Sequence, residues 1–470
     1  MKLIHVATDG WNFQEEGGSF FTPFGGNILN DVHPGQGTLF DHFVADDVER
    51  RFAAMQTFGL NTLRQPIGVN HVYDAGTGLK AEGMRNWTCF ISLAEQYGVR
   101  VMPVGGYLGS NDWFDAELLA DDGKPLEDSC AFWTAFAGAF TAHPAIFAWD
   151  LRNETLYDLQ EHMTIGSGDA SGAYANLVSG WPAYLEARYG TVEMMNAHYG
   201  RWGSFAEFAE VPVFIRFTDD PGNPVAFDFR NYFNEKGFQW SRRQVETLRA
   251  ADPQHMVCSG NNGWLFPDMD LWLANGFHNR AHHELYDFIT IHPYPAPQCL
   301  PTGHGDPLEG GEPLAFWLDA VVGMARMDHY GKPVVLQEFG WYGGGTSRFL
   351  CELPYRSEQA HADYTRTLIE RLLPHANGFV NWPLCDMPAA NDTSNHGGLF
   401  THDMQPKPLA AAYQELAAQV NGTPRHRQPA TATLSTSLLM LYTSRAYQDE
   451  LWEEVHRRAR RGEVLDYRYV

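Results

Sequence analysis

The 470-residue chain lacks several features that would assign it to other protein classes. Its six cysteines are scattered singly, without the CxxC spacing typical of a structural zinc site, and are predicted to be reduced thiols. No apolar run approaches the ~18 residues that a membrane-spanning helix needs. No GxGxxG phosphate turn follows a strand-like segment, which disfavours a dinucleotide-binding fold.

Positive charge is also scarce. Lysine and arginine number 33 against 57 acidic residues, giving a net charge of −24, so a nucleic-acid backbone would be repelled. The N-terminal residues MKLIHVATDGWNF lack the apolar stretch and cleavage site of a secretory signal, so we expect a cytoplasmic protein with no membrane partner. An apolar content of 44%, with 14% aromatic residues, indicates a globular chain with a large core.

Short apolar or β-branched runs alternate with segments of helical periodicity along most of the chain. This alternation predicts an α/β fold of βαβ units around a parallel sheet. Eight strands are predicted, at Phe20–Asn27, Asn61–Pro66, Val99–Gly105, Ile146–Asn153, His255–Gly260, Phe288–Tyr294, Pro333–Phe339 and Gly378–Pro383. Eight is the strand number of the (β/α)8 TIM barrel.

The remaining segments extend the predicted barrel. WNFQEEGGSFF before the first strand predicts a hairpin that closes the bottom of the barrel, with its turn at Gly17 and Gly18. The connection after the fourth strand, about 155–254, is too long for one helix and predicts a β4–α4 insertion on the catalytic face. We therefore expect a catalytic barrel over 1–420 and a linker with a helical tail over 421–470.

Two glutamates follow predicted strands at the rim of the barrel. Glu154 ends the fourth strand and Glu338 ends the seventh, so both carboxylates reach the C-terminal face, where barrel enzymes build their sites. Glycoside hydrolysis needs such a pair, one protonated to release the leaving group and one ionised. If the reaction retains configuration, the carboxyl groups should lie about 5 to 5.5 Å apart.

The motifs around these residues resemble glycoside hydrolase clan A, the cellulase-like superfamily, over roughly 12–418. HPAIFAWDLRNE and KPVVLQEFGW resemble the fourth- and seventh-strand motifs of its β-mannanase and β-mannosidase-like members. The resemblance implies that Glu154 is the general acid/base and Glu338 the nucleophile. It also implies that Asn153 hydrogen-bonds the sugar 2-hydroxyl.

Further site residues are implied by the same resemblance. In GLNTLRQPI, Arg64 would lie under the nucleophile and keep it ionised; in ITIHPYP, Tyr294 would hydrogen-bond the nucleophile and His292 would line the subsite. In FVNWPLCD, Trp382 would form an aromatic floor for the sugar ring. Three more tryptophans lie near predicted rim positions and are weaker candidates for subsites: Trp264, Trp341 and Trp11.

Two departures disfavour a cellulase. Thr155 replaces the proline that commonly follows the acid/base, and VMPVGGY lacks the histidine of many cellulase-type members. The stretch PAYLEARYGTVEMMNAHYGRWGSFAEF instead resembles the insertion of the clan's bacterial β-galactosidase family, where it shapes a closed, exo-acting pocket.

The leading interpretation is a retaining β-glycosidase that trims oligosaccharides, with β-mannosides or β-galactosides favoured. An endo-β-glycanase such as a mannanase, a transglycosylase and a non-catalytic carbohydrate-binding barrel are the alternatives. No cofactor is needed, and no metal is expected, since His278 and His282 have helical spacing but no third ligand or HExxH motif. Homo-oligomerisation is left open.

Overall fold

The computed structural model describes residues 1–28, 39–106, 124–153, 170–214, 218–260, 283–295, 304–327, 331–340, 345–346, 352–353, 356–388, 390 and 393–470. Its strands are β1 Ile4–Val6, β2 Phe13–Glu15, β3 Phe20–Phe21, β4 Phe24–Asn27, β5 Thr62–Pro66, β6 Tyr73–Asp74, β7 Gly78–Leu79, β8 Arg100–Val104, β9 Ala148–Asp150, β10 Met256–Cys258, β11 Ile289–Ile291, β12 Val334–Leu336, β13 Gly345–Thr346, β14 Glu352–Leu353, β15 Gly378–Asn381, β16 Ala432–Thr436 and β17 Leu465–Tyr469.

The helices are α1 Ala45–Thr57, α2 Val69–Val72, α3 Ala81–Tyr97, α4 Lys124–Ala139, α5 Ala170–Tyr189, α6 Val192–Tyr199, α7 Pro224–Ala251, α8 Gly311–Met327, α9 Glu358–Leu372, α10 Pro408–Val420, α11 Leu438–Thr443 and α12 Arg445–Ala459. Helices α1 and α3 end just before Gly59 and at Gly98, whose φ angles are 67° and 72°. Glycine adopts this left-handed conformation without steric cost, which explains why both helices end there.

Eight strands form one parallel sheet in the order β10-β9-β8-β5-β4-β15-β12-β11. Each lies within one of the eight predicted segments, which confirms the (β/α)8 barrel. The end strands β10 and β11 meet through Asp287, whose backbone N–H donates to the Val257 carbonyl at 2.9 Å and whose carboxylate accepts from the Val257 N–H at 2.7 Å. The sheet is therefore nearly closed.

The bottom of the barrel is closed by the N-terminal strands β1, β2 and β3, which form an antiparallel sheet. Ile4 and Phe13 from this sheet pack with Phe147 and Phe288, which lie at the starts of barrel strands. Arg100 of β8 ties the sheet to the barrel through an ion pair with Glu15. The hairpin turn between β2 and β3 contains Gly17 and Gly18, where the sequence predicts it.

The connection between β9 and β10 carries more than the barrel helix α7. Helices α5 and α6 precede α7, and all three lie in the segment where the sequence predicts an insertion. Asp228 of α7 anchors this segment, because it accepts hydrogen bonds from the Tyr189 and Tyr199 hydroxyls and pairs with Arg188 at 3.3 Å.

The C-terminal tail is not only helical, as the sequence predicts, but also contains the parallel pair β16 and β17. Their sequences, ATLST and LDYRY, are five residues long and lie on either side of α11 and α12, so neither signals a sheet by itself. The tail packs on barrel helix α8, where His456 lies 2.9 Å from both Asp319 and Glu312. Tail residues such as Trp452 belong to the same apolar cluster as the barrel's outer layer, so a boundary at residue 420 stays a proposal.

Gly25 of β4 lies where the backbones of two neighbouring barrel strands approach each other closely. A Cβ at this position would lie 1.7 Å from the Thr62 carbonyl oxygen of β5. We expect Gly25→Ala to lower the free energy of unfolding by about 3 kcal/mol or more, because backbone must move. Urea unfolding would measure it, with Gly138→Ala in α4 as the control. A Cβ at Gly138 would meet no atom outside its own helical turn within 4 Å, so a stability gain of up to ~1 kcal/mol is expected there; equal effects would contradict the prediction.

Candidate active site

Glu338 follows strand β12 by two residues and lies at the C-terminal mouth of the barrel, 3% exposed. Its Oε1 accepts a hydrogen bond from the Arg64 Nη1 at 2.5 Å, and its Oε2 accepts one from the Tyr294 hydroxyl at 3.0 Å. Both oxygens thus accept hydrogen bonds from other elements of the barrel, Arg64 of β5 and Tyr294 in the loop after β11. A carboxylate fixed in this way has a defined direction of attack, which a nucleophile requires.

Arg64 is the hub of the site. It is the third residue of β5, is 0% exposed, and donates from Nε to Asp150 Oδ2 at 2.8 Å. Its Nη2 donates to Asn153 Oδ1 at 2.9 Å, and its Nη1 also contacts Asn27 Oδ1 at 3.3 Å. The planar guanidinium presents its donors in a fixed fork, so these contacts set the ring of groups around Glu338.

The charges in this buried cluster compensate one another. Arg64 lies between the carboxylates of Asp150 and Glu338, which supply the countercharge that a buried guanidinium needs. In return, its positive charge and hydrogen bond favour the ionised form of Glu338. The arrangement therefore suits a carboxylate that reacts as an anion.

Tyr294 supports Glu338 from the loop after β11. We expect Tyr294→Phe to lower kcat by about 10- to 100-fold, because a hydrogen bond to a charged group contributes about 1.5 to 3 kcal/mol. Initial rates on the best aryl glycoside would measure this. The matched control is Tyr364→Phe, since the Tyr364 hydroxyl is also buried and accepts from Trp317 Nε1 at 2.9 Å, on the helical layer. A loss of kcat no larger than that of the control would contradict the role of Tyr294.

His292 is fully buried beside Glu338, with Nδ1 3.8 Å from Glu338 Oε2 and Nε2 3.2 Å from Gln337 Oε1. Burial lowers the pKa of His292 to about 4, although the Glu338 carboxylate opposes the shift. The ring is therefore neutral at neutral pH. A neutral imidazole adds no positive charge beside Glu338. The positive charge next to this carboxylate therefore comes from Arg64.

This pKa has a consequence for stability. An unfolded histidine has a pKa of about 6.5, so the unfolded state takes up a proton first as the pH falls. The contribution of His292 to stability is therefore complete above pH 6.5 and is lost as the pH falls toward 4. We compare the free energy of unfolding of the wild type with that of His292→Asn. The difference in favour of the wild type should be about 2 to 3 kcal/mol smaller at pH 4.5 than at pH 7.

Urea unfolding of both proteins at the two pH values would measure this change. Burial also lowers the pKa of His361, to about 3, but that residue is present in both proteins and its effect cancels. If the difference in free energy of unfolding between the two proteins does not change with pH, His292 has an ordinary pKa in the folded state.

Trp382 directly follows strand β15, next to the segment that carries Glu338. Its backbone N–H donates to the Phe339 carbonyl at 2.8 Å, and a Cβ at Gly340 would lie 2.5 Å from the Trp382 carbonyl oxygen. Its indole Nε1 donates to Ser394 Oγ at 2.9 Å, and the side chain is 8% exposed. The ring is thus fixed at the mouth of the barrel; its predicted stacking against a sugar stays a proposal.

Five of the predicted site residues are brought together in the described structure: Arg64, Asn153, His292, Tyr294 and Glu338. Glu154, Trp264 and Trp341 lie outside the described residues, as do His278 and His282. Trp11 does not lie near the rim. It precedes β2 in the sheet that closes the bottom, with the Arg427 guanidinium 5.7 Å from its ring, because the N-terminal strands turn beneath the barrel.

Sequence reasoning missed three polar residues of this cluster, Asn27, Asp150 and Gln337. Asp150 and Arg152 are two residues apart, so strand alternation places both side chains on one face, but the structure pairs Asp150 with Arg64. Asn27 donates to the Gln337 and Asn381 carbonyls, each at 3.0 Å, and so joins three strand ends. The available signal was that each is a polar residue in the C-terminal half of a predicted barrel strand.

Within the described ranges, no group of three or more His, Cys, Asp or Glu side chains is arranged to hold a metal ion. In that same part of the chain, no helix has the length and apolar character needed to cross a membrane.

The fold and site define the class of the molecule as a (β/α)8 barrel with a polar, carboxylate-bearing mouth. A family model described as β-galactosidase, glycoside hydrolase family 42, matches residues 126–335, which is less than half of the chain. A curated β-galactosidase of Thermus thermophilus is 31% identical over 135 residues, covering 27% of this chain and 20% of that protein.

Solved structures share the fold over nearly the whole chain. A β-galactosidase from the Antarctic haloarchaeon Halorubrum lacusprofundi has a TM-score of 0.68 at 16% identity, covering 95% of this chain and 66% of its own. The exo-β-1,4-mannosidase Op5Man5 from Opitutaceae bacterium strain TAV5 has a TM-score of 0.62 at 17% identity, covering 99% and 72%. The chain spans only part of these relatives. The comparisons confirm its resemblance to clan A glycoside hydrolases.

Proposed function

We propose that the protein is a retaining β-glycosidase in which Glu338 is the nucleophile and Glu154 the general acid/base. The observation that carries this proposal is the hold on Glu338, whose two carboxylate oxygens accept from Arg64 and Tyr294 at the barrel mouth. Barrel enzymes place their chemistry at this face. Asn153, which binds Arg64, directly precedes Glu154 in the sequence.

The reaction proceeds in two displacements. In the first, a Glu338 oxygen forms a bond to the anomeric carbon while the glycosidic bond breaks and Glu154 protonates the departing oxygen. In the second, Glu154 removes a proton from water, and the water oxygen displaces Glu338 from the sugar. Two inversions at one carbon retain its configuration. No cofactor takes part.

Asn153 and His292 are assigned to the sugar. The Arg64 contact fixes the Asn153 amide through its oxygen, leaving the amide NH2 as the donor for a sugar 2-hydroxyl. His292, neutral beside Glu338, would line the same subsite, and Trp382 would support the ring from strand β15. Trp264 and Trp341 remain candidates for further subsites.

For the substrate, we propose exo-cleavage of β-galactosides or β-mannosides. Relatives named as β-galactosidases and as an exo-β-1,4-mannosidase support these two glycones. A family 5, subfamily 18 protein from Streptomyces cattleya, with a TM-score of 0.61 at 15% identity, was solved with Manβ1-4GlcNAc and supports a short mannoside. A cytoplasmic location stays a prediction, which cell fractionation would test. The oligomeric state would be measured by light scattering.

The experiment that tests the glycone is hydrolysis of a panel of aryl glycosides. It contains β-mannoside, β-galactoside, β-glucoside, β-xyloside, β-fucoside and α-L-arabinofuranoside. Strong preference for the β-galactoside or the β-mannoside would support the proposal. No hydrolysis of any member, together with cleavage of a β-mannan polymer, would favour the endo-glycanase alternative; sugar binding without hydrolysis would favour the non-catalytic one.

Proton NMR of the first product tests the mechanism. A retaining enzyme releases the β-anomer before mutarotation, whereas an inverting enzyme releases the α-anomer. Products with an added sugar at high acceptor concentration would identify transglycosylation.

A further inference from the structure

We propose that Asp150 is a positioning residue, which orients Arg64 and Gln337 and through them controls both the proposed nucleophile Glu338 and the ring of His292. The inference rests on the proposed function of this site and extends it below the sugar-binding surface, to a carboxylate inside the barrel.

Asp150 ends strand β9 and is 0% exposed. Its Oδ2 accepts from Arg64 Nε and from Gln337 Nε2, each at 2.8 Å, and its Oδ1 accepts from the Gly260 backbone N–H at 2.8 Å. The three donors follow or belong to strands β5, β12 and β10. One carboxylate therefore joins three strand ends directly beneath the mouth.

Arg64 is the first arm of this network. Because its Nε is directed at Asp150, the planar guanidinium must turn Nη1 toward Glu338 and Nη2 toward Asn153. Without the Asp150 acceptor the plane could rotate, and both of these contacts would change together.

Gln337 is the second arm. Its amide nitrogen must face Asp150, since an amide oxygen would be repelled by the carboxylate, and its Oε1 therefore faces His292 Nε2 at 3.2 Å. An oxygen there requires a donor, so the neutral ring carries its hydrogen on Nε2. Nδ1, which lies 3.8 Å from Glu338 Oε2, is then an acceptor.

The charges predict how removal of Asp150 would act. The described titratable groups around Glu338 include Arg64, His292 and Tyr294. Around Asp150 they include Arg64, Cys258 and Tyr286, and burial raises the pKa of both Cys258 and Tyr286, so they are uncharged at neutral pH. Without Asp150, its negative charge no longer opposes the ionisation of Glu338, whereas the positive charge of Arg64 stays in the cluster even if the guanidinium plane turns, so the ionised form of Glu338 is favoured further.

Asp150→Asn tests the first arm with little change in volume. We expect kcat on the preferred aryl glycoside to fall about 10- to 100-fold, because a misplaced guanidinium misplaces the nucleophile, with a smaller change in KM. The acidic limb of the kcat/KM profile should move down by about one pH unit. The control is Asp252→Asn, another buried carboxylate, which accepts from Trp149 Nε1 at 3.0 Å on the bottom face. Its limb should not move.

A second measurement does not depend on activity. In protein labelled with 13C at glutamate carboxyl groups, the Glu338 signal is identified by its loss in Glu338→Gln, and its titration midpoint should lie about one unit lower in Asp150→Asn. An unchanged midpoint would overturn the proposal even if the wild type is an active glycosidase. If the midpoint shifts but the protein cleaves no glycoside, the proposed role of Asp150 is supported and the proposed glycosidase function is rejected.

Gln337→Met tests the second arm of the network and keeps the proposal testable if Asp150→Asn fails to fold. Histidine 15N NMR should find the Nε2–H form of His292 in the wild type. It should find the Nδ1–H form in the variant, because Glu338 is then the available acceptor. A His292 ring with the same tautomer in both proteins would show that Gln337 does not set it.

Discussion

Replacement of Glu338 by alanine is expected to lower kcat on aryl glycosides by about 10⁵-fold, or ~7 kcal/mol of activation free energy. The variant lacks the oxygen that forms the covalent intermediate, and water in its place is not held by Arg64 and Tyr294 as the carboxylate is. Stopped-flow or long-time assays with a 2,4-dinitrophenyl glycoside would measure the residual rate.

Azide separates the roles of the two glutamates. In Glu338→Ala, azide can occupy the vacated space and attack the anomeric carbon once, so a β-glycoside should give the inverted α-glycosyl azide. In Glu154→Ala, azide should attack the glycosyl-enzyme on the opposite face and give the β-glycosyl azide after two inversions. NMR of the isolated glycosyl azides distinguishes the two anomers. The product formed by Glu154→Ala therefore tests the acid/base role of Glu154 directly.

The control for this pair is Glu246→Ala. Glu246 lies on the solvent side of α7 in a long i, i+4 contact of 3.9 Å with Arg242, so its loss should leave kcat unchanged. If Glu338→Ala retained more than about a tenth of the wild-type kcat, or gave the β-azide, Glu338 would not be the nucleophile.

The barrel could be predicted because its signals are local. Each barrel strand is a short apolar run, and helices such as α1 and α3 show helical periodicity that ends beside Gly59 and Gly98. Once eight parallel strands are assigned, their ends must meet at one face. The convergence of Arg64, Tyr294 and Glu338 follows from that topology, together with the resemblance of their motifs.

The pairing inside the cluster could not be predicted in the same way. Strand alternation places Asp150 and Arg152 on one face, but it does not say which side chains of neighbouring strands reach them. The register β5-β8-β9 and the curvature of the barrel bring Arg64 to Asp150, across an intervening strand. Likewise, β16 and β17 are joined by a parallel pairing across α11 and α12, which neither five-residue strand encodes alone.

Replacement of Arg64 by methionine is expected to have the largest effect on stability, lowering the free energy of unfolding by about 3 to 5 kcal/mol. Methionine fills a similar space without charge, which leaves the carboxylates of Asp150 and Glu338 buried without their shared countercharge. Urea unfolding at pH 7 would measure the loss. Activity should also fall, by about 10³-fold or more, since the orientation and charge state of Glu338 both depend on Arg64.

Arg326→Met is the matched control for stability. Arg326 is also buried and pairs with Asp466 at 2.7 Å, but between α8 and the tail, so its loss should reduce stability without a selective loss of kcat. If the two variants lost activity equally, the effect of Arg64 would be a general consequence of instability.

Arg64→Lys separates charge from geometry. A lysine keeps the positive charge but presents one ammonium group, which cannot bind Asp150, Asn153 and Glu338 in the fixed fork of a guanidinium. Compared with Arg64→Met, Arg64→Lys should therefore regain more of the wild-type stability than of the wild-type kcat. In Arg64→Met, burial without a countercharge favours the protonated carboxyl groups in the folded state, so the stability deficit of the variant against the wild type should narrow as the pH falls from 7 toward about 4. A deficit that stays constant with pH would mean that packing, and not charge, makes Arg64 necessary for the fold.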